Sequence, residues 1–182
     1  MRRHLAALAF SLAATNAVAA PPTLAVGNMT YVHRYSDGGL HEYTPEGQDD
    51  LDRFADMLTL LPTPEDLRAA DLESYSIHMA AVHTRRGGEV LSRECEAATP
   101  VHVADCTLLI RFAKAGHVEL AVDKQMATKR GLVAMALAHR EYGEGAAGRA
   151  VAWTQGEGQR RIADFIDWAD RLGRAMDDDA QP

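Results

Sequence analysis

His33, His41 and Glu42 fall within ten positions of one another in the stretch YVHRYSDGGLHEY, the densest grouping of chemically useful side chains in the chain. Two imidazoles and a carboxylate on neighbouring strands suit a metal ion or a proton relay. The local pattern predicts otherwise. The stretch reads as a hairpin with Asp37-Gly38 in a type I′ turn, which needs positive φ at its centre. That register sets His33 opposite Glu42 and Arg34 opposite His41, so the two histidines point to opposite faces and share no ion. His78 and His83 fall on one expected helix, five residues apart and about 140° round its axis, where they cannot chelate. No metal ligands and no cofactor are assigned.

Nucleophilic chemistry is no better provided for. There is no G-x-S-x-G elbow, and Ser36, Ser74, Ser76 and Ser92 lack the strand–turn–helix setting such a serine needs. The acid pairs Asp49-Asp50 and Glu65-Asp66 fall at expected helix starts, where the helix dipole accounts for them. GEGAAG (Gly143–Gly148) matches the G-x-G-x-x-G spacing, but no βαβ unit surrounds it. HREYG (His139–Gly143) is a polar cluster at a strand end without so complete a structural explanation. No catalytic residue is assigned; the candidates, if the chain is an enzyme, are His33, Glu42 and His139.

Cys95 and Cys106 are the only cysteines. One structural disulfide is expected; the rival is a reactive or metal-binding pair, and their spacing does not match the C-x-x-C of redox or zinc motifs. Export favours the disulfide. MRRH, the apolar LAALAFSLAA and Ala17-Val18-Ala19 read as a signal peptide over residues 1–19, with cleavage before Ala20. Arg2 and Arg3 fit an ordinary charged start better than twin-arginine export. Removing this leader deletes two arginines and no acid, taking the formal charge from -7 to -9. So acidic a chain argues against nucleic acid and anionic membranes as partners. No later apolar run approaches the ~20 residues of a membrane span. A periplasmic or secreted protein is expected.

The elements must then position these groups. After the hairpin, Thr44-Pro45 predicts a helix start with Leu51, Phe54, Ala55 and Leu58 as its buried stripe. Thr63, Pro64 and Asp66 predict a second start, with Leu72, Tyr75, Met79 and Val82 buried and Gly87-Gly88 as the stop. The period then changes to two: Val90–Cys95, then Cys106, Leu108, Ile110 and Phe112, then Val118, Leu120 and Val122, then 132–142. A Lys114-Ala115-Gly116 loop would pair Phe112 with Val118 and Ile110 with Leu120. The cysteines should meet across strands, with Arg93 opposite Leu108 and Leu91 opposite Ile110. A short helix around Val151 and Trp153 precedes a final one faced by Ile162, Phe165, Ile166, Ala169 and Leu172. This is an α+β fold, helices packed on an antiparallel sheet. Residues 20–176 form one domain and 177–182 a disordered acidic tail.

HEYTPEGQDDL (His41–Leu51), Asp56-Met57 and HREYG, in that order, resemble a family of small exported bacterial proteins of unassigned function. That resemblance brings no activity or catalytic residue with it. The order of helices and strands also looks like a PsbP/Mog1-type sandwich, an analogy of architecture. The expected function is an exported, non-catalytic binding or protein-interaction module, with an accessory, inhibitor or immunity-type role. Its partner is another exported protein or a small ligand. The alternative is a small periplasmic hydrolase or isomerase using His33, Glu42 and His139.

Overall fold

The structure, a computed structural model, describes residues 22–61, 63 and 67–178. The expected leader, Pro64 and Asp66 of the second helix start, and the tail from Asp179 lie outside them. Strands β1 (Thr23–Val26), β2 (Met29–Asp37), β3 (Leu40–Pro45) and β4 (Asp56–Leu61) precede a helix, α1 (Leu72–Arg85). Strands β5 (Gly88–Glu96), β6 (Asp105–Lys114), β7 (His117–Thr128) and β8 (Gly131–Tyr142) follow, then α2 (Ala146–Thr154) and α3 (Glu157–Asp178). All eight strands make one antiparallel sheet in the order β1-β2-β3-β4-β8-β7-β6-β5. Two four-strand meanders thus join where β4 meets β8, and the chain is α+β as expected.

Alternation along the strands sends side chains to the two faces of the sheet, where three clusters form, the smallest around Leu72, Cys106, Ala127 and Leu132. On one face Tyr31, Tyr43, Leu58, Val122 and Met135 pack under Phe165 and Ala169 of α3, with Ile162, Ile166 and Leu172 beside them. This is the stripe the sequence predicts, each large buried side chain contributing roughly 1.5–3 kcal/mol. On the other face Leu108, Ile110, Ala121 and Ala138 pack against Phe54, Met57 and Leu51, with Ala80 of α1.

The helix expected from Thr44-Pro45 does not form. β3 runs through Pro45, and Gly47 takes φ +83°, outside the helical region. The Thr44 hydroxyl donates to the Gln48 carbonyl, and the Gln48 side chain accepts the N–H groups of Ala55 (2.7 Å) and Asp56 (3.0 Å). That bridge hands the chain to β4. Phe54 is still buried and Leu51 half-buried, but on the α1 face, while Leu58 goes to the α3 face. The helix-like spacing is met by a loop and a strand. α1 likewise starts at Leu72, with Asp71 as its N-cap in place of Thr63. The Thr63 hydroxyl donates to the Leu132 carbonyl (2.6 Å).

Two registers also differ from expectation. In the β2–β3 hairpin the turn residues are Gly38 and Gly39, both at positive φ, and Ser36 pairs with His41. A bulge between His33 and Tyr35 then puts His33 opposite Tyr43. The β6–β7 turn is two residues long, which pairs Phe112 with Glu119 and Ile110 with Ala121. Because helices cover both faces of β7, apolar alternation there does not choose between registers one residue apart. The final helix continues through Asp177 and Asp178, placed in the expected tail; the Asp177 carboxylate accepts the Lys129 N–H (2.7 Å).

Cys95 and Cys106 pair directly across β5 and β6 and form a disulfide. Arg93 is opposite Leu108 as expected, but Val90, not Leu91, faces Ile110, because Leu91 is the extra residue of a bulge. Thiol titration of the folded protein should find no free cysteine. Replacing both by Ser should cost about 2.5–3 kcal/mol in urea unfolding, the loop-closure entropy of so short a bridge.

Candidate functional site

The three candidate residues do not converge. His33 lies on the α3 face near the hairpin tip; Glu42 points to the opposite face, paired with Thr59. His139 sits on β8, three strand spacings or roughly 14 Å from β2. Burial pushes the Glu42 carboxyl up, with Arg140 opposing.

The β2 bulge has one effect that alternation alone hides: it turns His33 to the same face as His41. The Ser36 hydroxyl lies 2.7 Å from His33 Nε2 and 2.7 Å from His41 Nδ1, bridging the two rings. Tyr43 meets His33 edge-on at 5.1 Å. One hydroxyl proton serves one imidazole while the other ring donates, so both nitrogens are satisfied by a serine.

His139 belongs to a different assembly. Its Nδ1 is 3.0 Å from Asp56 Oδ1 and its Nε2 is 3.3 Å from Glu141 Oε1. Arg161 of α3 reaches Asp56 Oδ2 at 3.2 Å, and Arg149 of α2 reaches Glu141 at 2.8 Å. The Trp153 indole stacks on the imidazole, centroids 4.1 Å apart. Gly158 permits this, since a Cβ there would overlap the indole. A general base needs a ring nitrogen facing its substrate, and here carboxylates take both. The cluster ties β4, β8, α2 and α3 together. Asp56 and Glu141 fall in stretches that the sequence marks, whereas Arg161, 105 residues from Asp56, carries no local signal.

A second charged cluster escapes sequence reading. Lys124, almost fully buried on β7, sits 2.8 Å from Asp105 and 3.1 Å from Asp170 of α3. His102 approaches Asp105 at 2.8 Å and Glu96 at 3.7 Å, although its Nε2 makes no hydrogen bond of good geometry to either. Ligand atoms of His102, Asp105 and Asp170 lie within 4.8 Å of one another, a geometry able to hold a metal ion. The Lys124 ammonium already supplies positive charge to both aspartates. With Glu94 and Thr107 these groups line a cleft of about 290 Å³.

Beside it, between α2 and the sheet, lies an apolar cleft of about 440 Å³. Leu91, Leu109, Val118, Leu120, Ala150 and Val151 line it. Its mouth is open, with Leu91 44% and Val151 51% exposed. Arg111 at the rim is paired with Glu89 of the neighbouring β5. Another apolar cleft, of about 480 Å³, runs along α1 past Leu67, Tyr75 and Met79.

The His139 cluster predicts the response to pH. Arg149, with His139 adding and burial opposing, holds the Glu141 carboxyl below its ordinary 4.5. A lowered carboxyl stabilises above its unfolded value, and that contribution is lost as pH falls through the folded one. Burial, with Asp56 adding, pushes Tyr31 from 10.0 up to about 12. Its contribution is complete below 10.0 and lost as pH rises through about 12. Urea unfolding should show both limbs, with Arg149→Ala flattening the acid one and Tyr31→Phe the alkaline one. His139→Ala should cost about 1–3 kcal/mol, because it removes the hydrogen bond to buried Asp56 Oδ1 while Arg161 and Arg149 still pair the two carboxylates.

No protein-family model matches the chain, and no curated protein matches it. Among solved structures it is similar to the crystal structure of human STARD10, at 10% identity over 76% of this chain and 72% of that one. The TM-score is 0.32, too low to carry any argument about function.

Proposed function

We propose that the chain is an exported, non-catalytic binding module whose ligand is a small molecule with an apolar body, held between α2 and β5–β7. The observation that carries this reading is the apolar cleft itself. It lies within the roughly 300–1,000 Å³ typical of small-molecule sites, and its walls are regular elements. A concave site of this size suits a small ligand better than a flat protein partner. The disulfide supports export, because such bonds persist in oxidising compartments. Membership of the family of small exported bacterial proteins belongs to the same proposal. Its support is that Gln48, Asp56 and His139, one from each resembling stretch, converge where β4 meets β8. The rival reading, a hydrolase or isomerase built on His33, Glu42 and His139, has no support from their separated positions.

A neutral fluorescent probe, N-phenyl-1-naphthylamine, tests the cleft. Binding should saturate at one probe per chain. Leu91→Asp, which charges the mouth, and Ala147→Trp, which fills it, should each weaken binding about tenfold or more. Both positions are exposed, so neither change threatens the fold. Absence of saturable binding, or binding indifferent to both substitutions, refutes the proposal.

A further inference from the structure

We infer that the ligand carries a positive charge at one end: the site takes a cationic amphiphile, its apolar body under α2 and its charged end against the carboxylates beside His102. This rests on the reading of the apolar cleft above and adds to it the chemistry of the second end.

Register makes the two clefts parts of one trough. Asp105, Thr107, Leu109 and Arg111 alternate along β6 onto the α3 face, opposite Glu96, Glu94, Ser92 and Glu89 of β5. Moving along this face, the first two rungs are acidic and the third begins the apolar floor. Neighbouring same-face rungs are about 7 Å apart, so a group projecting from the Leu109 end reaches Glu94 directly.

The charge balance of each end sets the sign. At the acidic end Glu94, Glu96, Asp105 and Asp170 face one ammonium, Lys124, and the His102 ring. Lys124 is committed to the two aspartates. Glu96 is largely exposed, with the His102 ring 3.7 Å away, and Glu94 has no ionic partner among the described residues. Neither carboxylate is therefore matched by a lysine or arginine at the end of the apolar cleft. At the opposite rim Arg111 is neutralised by Glu89, so nothing there favours an anion. An apolar wall also lowers the local dielectric, which strengthens attraction between these carboxylates and a bound cation.

The test uses one alkyl chain with three heads: decylammonium, decanol and decanoate at neutral pH, each below its aggregation concentration, by calorimetry on the folded, oxidised protein. Decylammonium should bind about tenfold more tightly than decanol, decanoate no better than decanol, and the preference should shrink in high salt. Glu94→Gln with Glu96→Gln should remove the preference and leave decanol affinity unchanged. Glu46→Gln with Asp52→Asn, which removes the same charge from the 46–55 loop, should leave the preference intact. Equal affinities, or tighter binding of decanoate, overturn the cationic inference while the apolar cleft stands. A preference that survives loss of Glu94 and Glu96, or falls equally in the loop variant, also overturns it, since net charge would then be the cause. Failure of all three molecules to bind overturns the cleft reading and this inference with it.

Discussion

Strand β7 is buried without a break from Leu120 to Thr128, on both faces of the sheet, and the arrangement of the helices follows from that. The strand carries Asp123, Lys124 and Gln125 into this interior. A buried charge is tolerable only when paired, so each one calls a partner from the layer above it. Lys124 takes Asp105 and Asp170 on the α3 side; Asp123 takes His83 of α1 at 3.0 Å on the other. On β4 and β8, Asp56 and His139 do the same with Arg161. Such pairs contribute little net stability, but breaking one leaves a stranded charge. Their effect is on position: sliding a helix by one turn, about 5.4 Å, would orphan a buried ion.

The same constraint explains where the sheet is left open. α2 and α3 pack on β7 and β8, where the charged anchors are, and not on the β5 edge. The outer part of β5 and β6 on that face keeps only its own side chains for cover. β5 meets the hazard of a free edge with a bulge at Leu91 and with Glu89, Arg93, Glu94 and Glu96, while the disulfide holds it to β6. The trough that results is apolar under α2 and acidic beside His102. Its polarity comes from residues that also protect an edge.

Local pattern determined a large share of this fold. The β6 alternation, the Gly87 stop of α1 and the stripe of α3 all depend on periods and turn residues readable within one element, while the meeting of the two cysteines followed from their number and the expected export. The 46–61 segment misled because Leu51, Phe54 and Leu58 satisfy helical spacing while serving two different cores, a difference made by Gly47 and the Gln48 bridge. The His33–His41 relation turned on a single bulged residue, which reverses facing and leaves composition unchanged.

The candidate site was legible only in fragments. His139, Glu42 and the apolar residues of β6 and β7 stand out in the sequence, but not which of them share a space. Asp56 meets Arg161 across 105 residues, and Lys124 meets Asp170 across a helix–sheet interface. Periodicity reports which face of an element is buried; it says nothing about which distant element covers that face. Where both faces are covered, as on β7, even register loses its local signature. Tertiary packing alone decides such contacts, because the free energy of pairing a buried charge depends on what lies above it in space and not on its neighbours in the chain.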